Sequence, residues 1–322
     1  MIQQVLDEAV AYAASFSHLG KSASYIPELA KADPAQLGAC IITVDGACYH
    51  AGDWHQPFTM QSISKTISLI LALQTAGKDC VFSKVGAEPT GDAFNSISKL
   101  ETREGRPLNP MINAGAIAVM SCIAKGDCWP RLLSLTRKLC RRESIDIDEA
   151  VYHSESATGM RNRSLAYFMQ SENLIDGDVE VALDLYFKMC SLSVTTEDLA
   201  NYGMILANDG IDPATGECIV ENDILRIVKT LMVTCGLYDG SGEFAINVGL
   251  PSKSGVGGGI VSAAEGKMGI GVFGPGLDSK GNSVGGCRML EYISKHLNLH
   301  YFADHSSHSA ALNKPRKAFR PA

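Results

Sequence analysis

β-Rich segments stand at both ends of this chain and helical periodicity fills its middle, and that order restricts the folds open to it. "LGACIITVDGACYHAGD" sets Ile41, Ile42 and Val44 ahead of the turn pair Asp45-Gly46, with a shorter strand following through Cys48 and Tyr49. Towards the other end, "GGGIVSAAEGKMGIGVFGPG" predicts two strands about Glu265-Gly266-Lys267, followed by a helix from about 286 to 297. The first 20 residues carry apolar positions at helical spacing (Val5, Ala9, Ala13, Phe16) up to Gly20. Between about 62 and 236 the pattern is mostly helical. One segment there opens on Thr195 with Asp198 three later and stops at Gly210; another lies between Asn222 and Gly236. Strands so far apart share a sheet only if the helices between them are set aside. The expected architecture is α+β: one antiparallel sheet flanked by the terminal helices, with a helical subdomain inserted. The sheet subdomain is expected over about 1–61 and 237–300 and the helical one over about 62–236, within a single domain of 1–300. A cleft is expected where the two meet.

Charge and composition remove several classes of function. A formal net charge of -7 argues against a nucleic-acid partner, which would normally meet a basic face. Only "NKPRKAFRPA", with Lys314, Arg316, Lys317 and Arg320, is locally basic, and 301–322 reads as a flexible, solvated tail. Asp7 and Glu8 stand where a secretory signal would carry a basic residue, and no apolar run approaches the roughly 18–20 residues of a membrane span. The ten cysteines are scattered without a C-x-x-C pair, so they are expected to be reduced, buried small side chains in a cytoplasmic protein. His296, His300, His305 and His308 raise metal binding near the C-terminus, but solvated imidazoles at a fraying helix end explain them as well. No metal and no cofactor is expected.

Within "FTMQSISKTISLILALQTAG", Ser62 and Lys65 stand three apart, on one face of a helix. A lysine at the head of so apolar a segment is partly desolvated, which lowers its pKa and lets it act as a base. A first-turn backbone N–H at Ser62 is free for an incoming oxygen. Hydroxyl, base and oxyanion donor are what an activated nucleophile requires. S-x-x-K alone is common. A second element, "LPSKSGVGGGIVS", places Lys253-Ser254-Gly255 before a strand in the manner of the K-T-G triplet that faces S-x-x-K across the cleft of serine acyl-transfer enzymes.

"QSISK", "NPMINAGAI", "SESATGMRNRSLAY", "MVTCGLYDGSGEFA" and "VGLPSKSGVGGGIV", in this order and with "YIPELAKADP" ahead of them, resemble the glutaminase family, serine-dependent relatives of β-lactamases and penicillin-binding proteins. The resemblance runs from about residue 20 to 297. It implies a serine β-lactamase-like fold and hydrolysis of L-glutamine to L-glutamate and ammonia through a γ-glutamyl ester of Ser62, with Lys65 as general base. It further implies an oxyanion hole from the backbone N–H groups of Ser62 and Val256, and active-site tyrosines at Tyr186 and Tyr238. Tyr25, Gln61, Asn113, Glu155 and Asn162 are the matching substrate-binding positions, together with Ser62, Tyr186, Tyr238 and Val256. Chemically, Glu155 suits the α-ammonium and the phenol and amides suit the α-carboxylate; a deacylating base is the other role open to Glu155. Homodimers or homotetramers are the assemblies the family implies. Ala157, and glycine within Asp239-Gly240-Ser241, depart from the motifs and bear on loop geometry alone.

Two other readings compete. A lactamase or peptidase would use the same serine chemistry but has no need of the amino-acid-binding set Tyr25, Glu155 and Asn162. A glutamine sensor with a dead site would have lost its nucleophile, whereas Ser62, Lys65, Tyr186 and Tyr238 are all in place.

Overall fold

Period-two alternation of side chains explains how the two ends of the chain come to share a sheet. The computed structural model describes residues 1–90 and 106–303. His305, His308 and the basic residues Lys314, Arg316, Lys317 and Arg320 lie outside the described residues. Five strands, β1 (Gly38–Thr43), β2 (Cys48–Gly52), β5 (Ser252–Ser254), β6 (Gly259–Ala264) and β7 (Met268–Phe273), form an antiparallel sheet of order β2-β1-β7-β6-β5. A separate ribbon pairs β3 (Phe58–Thr59) with β4 (Ser193–Val194). The helices are α1 (Ile2–Ala14), α2 (Ser64–Lys84), α3 (Asn113–Ile123), α4 (Cys128–Cys140), α5 (Glu149–Thr158), α6 (Met160–Ser171), α7 (Val179–Cys190), α8 (Thr196–Ala207), α9 (Asn222–Cys235), α10 (Ser241–Asn247) and α11 (Val284–His296).

N- and C-terminal strands are joined directly by β1 and β7, with Ile41 opposite Ile270 and Ala39 opposite Val272. These four and Ile260 share a core with Leu6, Ala9 and Ala13 of α1 and Met289, Leu290 and Ile293 of α11. The alternate residues Cys40, Ile42, Val261 and Ala263 belong to a second core, with Ile67 and Ile70 of α2 and Leu199 and Ala200 of α8. Each fully buried isoleucine here contributes about 1.5–3 kcal/mol relative to exposure. A helix from the middle of the chain, α8, thus covers one face of the sheet while the terminal helices cover the other. It lies so close that a Cβ on Gly269 would overlap the backbone of Met204, and one on Gly271 that of Thr196.

The capping box foreseen at Thr195 is present, Asp198 Oδ2 accepting from Thr195 N at 2.7 Å. Four details depart from the sequence reading. Asn222 is the first residue of α9 rather than its cap, and Glu221 in the cap position makes no side-chain cap bond. The first helix stops at Ala14, and Ser17–Leu19 form a separate 3-10 turn before Gly20. Lys253-Ser254 is itself edge strand β5, paired to β6, rather than a turn before a strand. Cys48 and Cys218 are exposed, so the cysteines are not uniformly buried; all ten are free. His296 and His300 face the carbonyl oxygens of Tyr292 and Ala245 at 2.8 and 3.1 Å, which gives each imidazole a backbone partner. Among the described residues no helix is long and apolar enough to cross a membrane.

Candidate active site

Ser62 sits in a 3-10 turn, Gln61–Ile63, between β3 and the start of α2. Pairing of Phe58 with Val194 and Thr59 with Ser193, continued by Met60 N donating to Leu192 O at 2.8 Å, holds the approach to this turn. Gln61 then turns the chain with φ 48°, a left-handed conformation uncommon for a side-chain-bearing residue and concentrated at functional sites. Edge strand β5 runs alongside. A Cβ on Gly255 would lie 2.7 Å from Met60 O and 3.4 Å from Ser62 N, so only glycine lets the two backbones approach.

Lys65, the second residue of α2, has its ammonium beside Ser62 and is 2 % exposed. Its Nζ donates to Ser62 Oγ at 3.1 Å and to Asn113 Oδ1 at 2.6 Å. Burial disfavours the charged form and brings the amine down to about 8, against smaller upward influences from Cys190 and Glu155. Asn113, at the start of α3, passes the network on: its Nδ2 donates to Asn162 Oδ1 at 3.0 Å.

Above Lys65 opens a cavity of about 290 Å³ that draws together residues from distant segments: Tyr25, Gln61, Ser62, Asn113, Glu155, Asn162 and Tyr186. Glu155, on α5, is 6 % exposed. Burial pushes its carboxyl up to about 7, although Gln61 Nε2 donates to it at 3.3 Å and the Lys65 charge favours ionisation. Tyr25 is half exposed, at 53 %, and stands at the rim. Tyr186, on α7, is buried with its ring centroid 5.9 Å from Lys65 Nζ.

Besides Lys65 beneath it, two of the predicted residues, Tyr238 and Val256, do not line this cavity. The Tyr238 hydroxyl lies against those of Ser62 and Ser254, and burial holds it neutral by raising it to about 12. Like Gln61 it occupies left-handed space, with φ 54°. The Val256 side chain packs in a small apolar cluster with Ala23 and Leu277. Lys253 is buried with Nζ donating to Gly236 O and Ser254 O at 2.9 and 2.7 Å, and lies 4.5 Å from the Tyr238 ring centroid. These contacts tie Lys253 to that ring and to the strand.

Three contributors escaped the sequence reading. Arg161 and Thr158 line the cavity beside Asn162, and "TGMRN" could have drawn attention to them. Cys190, one helical turn after Tyr186, is buried among Glu155, Lys65, Tyr186 and Ser64 as a neutral thiol. Its four-residue spacing from Tyr186 was the available signal.

A family model described as Glutaminase matches residues 20–302. A glutaminase of Clostridium botulinum (strain Loch Maree / Type A3) is 55 % identical over 287 residues, covering 88 % of this chain and 94 % of the relative. A crystal structure of a Bacillus glutaminase in the presence of 4.3 M NaCl is similar with TM-score 0.85 and 40 % identity, over 92 % of this chain and 98 % of that one. A Bacillus subtilis glutaminase in covalent complex with 5-oxo-L-norleucine, formed by reaction with 6-diazo-5-oxo-L-norleucine, is similar with TM-score 0.85 and 39 % identity, over 93 % of this chain and 99 % of that one. With the fold and nearly the whole length matched, the chain belongs to the glutaminase family and is an amidohydrolase of the β-lactamase-like fold.

Proposed function

We propose that the protein hydrolyses L-glutamine to L-glutamate and ammonia through a γ-glutamyl ester of Ser62. The observation that carries this reading is the buried Lys65, lowered to about 8 and hydrogen-bonded to Ser62 on the floor of a cavity holding a second buried charge, Glu155. In its neutral form Lys65 takes the Ser62 proton as Oγ attacks the side-chain amide carbon. The oxyanion is met by the backbone N–H groups of Ser62 and Val256. Collapse expels ammonia once its nitrogen is protonated, with the Tyr238 phenol beside Ser62 and the Tyr186 phenol beside Lys65 as relays. Water then reverses the sequence at the ester. The diazoketone that labels the Bacillus subtilis relative has the glutamine skeleton with an electrophilic carbon where the amide nitrogen would be, which supports the substrate.

Glu155 pairs with the α-ammonium, since a zwitterion in a buried site binds poorly without a counter-charge. Asn162 has its Oδ1 occupied by Asn113, which aims its Nδ2 donors outward to an α-carboxylate, with Gln61, Tyr25 and Arg161 around it. We further propose one catalytic domain over 1–300, a cytoplasmic setting, and assembly as a homodimer or homotetramer, which light scattering of the purified chain checks.

The direct test measures ammonia and glutamate from L-glutamine, beside L-asparagine and a chromogenic lactam. Glutamine alone should turn over efficiently; lactam cleavage in its place would keep the serine chemistry and discard the substrate. Glu155→Gln should raise KM by about 10–100-fold with kcat within a few-fold, the range for losing a hydrogen bond to a charged group. Collapse of kcat at unchanged KM would assign Glu155 to deacylation.

The pH profile follows from the two shifted groups. Glu155 must lose its proton near 7 to hold the ammonium, and Lys65 must lose its own near 8 to act as a base. A plot of kcat/KM should therefore rise with pH through 7 and 8, and Glu155→Gln should remove the lower limb. The carboxyl also affects stability. Its value is raised from 4.5 to about 7 on folding, so the unfolded chain ionises first and native stability falls as pH rises across that window. Glu155→Gln should be more stable than the parent at pH 8, on the order of 1–3 kcal/mol, in urea titrations. Equal stability would show that the carboxyl is not strained by burial.

A further inference from the structure

The edge hairpin and α8 bring together four side chains that glutamine chemistry does not use. Cys40 on β1 pairs across the ladder with His50 on β2, and Cys48 lies one same-face step further along β2. Cys40 Sγ and Cys48 Sγ are 3.7 Å apart, and Cys48 Sγ is 3.3 Å from His50 Nε2. The donor atoms of these three all lie within 4.8 Å of one another. Glu197, in the first turn of α8, brings Oε2 to 3.4 Å from the same His50 Nε2. None of the four lines the Ser62 cavity.

The Cys40–Cys48 and Cys48–His50 separations match those between ligands of one tetrahedral ion, and Glu197 stands next to His50 at the fourth position. Thiolate bonds of about 2.3 Å and imidazole or carboxylate bonds of about 2.0–2.1 Å, at tetrahedral angles, set neighbouring donors about 3.8 Å apart for S/S, about 3.6 Å for S/N and about 3.4 Å for N/O. A weak thiol contact, a thiol–imidazole contact and a surface His–Glu pair would explain each distance singly. They give no reason for two thiols and an imidazole to bring their donor atoms within 4.8 Å of one another with a carboxylate beside the imidazole. Contact of the His50 ring with Trp54, with centroids 4.0 Å apart and planes tilted by 35°, also restrains the imidazole, whose Nε2 faces Cys48.

We propose that Cys40, Cys48, His50 and Glu197 bind a zinc ion. Two thiolates, an imidazole and a carboxylate in tetrahedral array select zinc over the hard, higher-coordinate magnesium and calcium. Binding displaces the two thiol protons to solvent and involves no change of oxidation state. Cys40, Cys48 and His50 already lie together, and the half-exposed Glu197 side chain swings its carboxylate in from His50 to close the site, whose role is structural. It fastens the sheet edge to α8, just after the β4 segment whose partner β3 leads into Gln61 and Ser62. The spacing C-x7-C-x-H with a glutamate about 150 residues later matches no familiar zinc motif, which is why only strand pairing reveals it.

The experiment uses the purified full-length protein, reduced with a phosphine and stripped of metal, titrated with cobalt(II) and then zinc(II). One equivalent of cobalt should give thiolate-to-metal charge transfer and the intense visible bands of tetrahedral coordination, which zinc then bleaches. Zinc should raise the melting temperature, and a chelator should reverse the rise. Cys48 is exposed and His50 and Glu197 are partly so, so Cys48→Ser, His50→Ala and Glu197→Gln should keep the parent circular dichroism. The first two should weaken zinc by more than about 100-fold, beyond the 10–100-fold typical of an outer-shell partner. Absence of the cobalt spectrum, or a spectrum and melting shift unchanged in Cys48→Ser and His50→Ala, would overturn the site. So would a native Cys40–Cys48 disulfide with no metal uptake after reduction.

Discussion

Ser62→Ala is expected to reduce ammonia release from L-glutamine by about 10⁵–10⁶-fold, the scale on which nucleophile removal acts in serine hydrolases. The substitution deletes one oxygen and leaves its backbone N–H in place. Substrate should therefore still bind with a Kd near the parent KM, and the loss should fall on kcat. The fold should survive. Ser62 Oγ accepts from Lys65 and lies against the Tyr238 hydroxyl, and on its removal Lys65 keeps its shorter bond to Asn113 Oδ1. A change in unfolding free energy above about 1.5 kcal/mol would exceed the usual worth of one hydrogen bond. Mass analysis after 6-diazo-5-oxo-L-norleucine treatment separates the possibilities. The parent should gain the adduct on the peptide holding Ser62, and the variant should gain none. Labelling of another residue, or turnover within tenfold of the parent, would remove Ser62 from the chemistry.

The second large effect is at Lys65. Lys65→Ala should lower kcat by about 10³–10⁴-fold, the upper range for losing a positioned general base, and should abolish the rise in rate near pH 8. Either substitution leaves Asn113 Oδ1 without the Lys65 donor, but alanine also opens a void, so Lys65→Met is the cleaner variant. Methionine fills similar space and removes a buried amine held below its ordinary range by desolvation. That shift carries a sign for stability. The unfolded chain keeps the proton up to about 10.5 while the folded one loses it near 8, so at pH 7 the amine opposes folding and the opposition fades across that window. Lys65→Met should thus be inactive yet at least as stable as the parent at pH 7 by thermal melting. A loss of only a few-fold in either variant would mean that another group takes the Ser62 proton. Tyr238 is the nearest alternative, but a phenol held at about 12 is a poor base at neutral pH.

Much of the fold was legible because local rules sufficed. Asp45-Gly46 and Glu265-Gly266-Lys267 mark hairpins whose flanking strands alternate correctly, and Thr195 with Asp198 declares the start of α8. The Ser62–Lys65 pair was legible for the same reason, since three-residue spacing on a helix decides contact. Less local features were not. Ser62 lies in a 3-10 turn before α2 instead of inside its first turn, and the left-handed Gln61 that aims it has no signature in side-chain type. Cys190 looked like an apolar filler until α7 packed beside the Gln61–Ile63 turn and set it against Glu155 and Lys65.

The sequence by itself determined the main elements, the family and the meeting of Ser62 with Lys65, because each depends on neighbours within a turn or on motifs that keep their order. Only the tertiary structure decided how charge is held in the site. Burial brings Lys65 to about 8 and Glu155 to about 7, and burial is a property of which helices close over a side chain rather than of the side chain. The same holds for Cys40, Cys48, His50 and Glu197. Strand register and one helix start make them neighbours, and no spacing along the chain encodes that meeting.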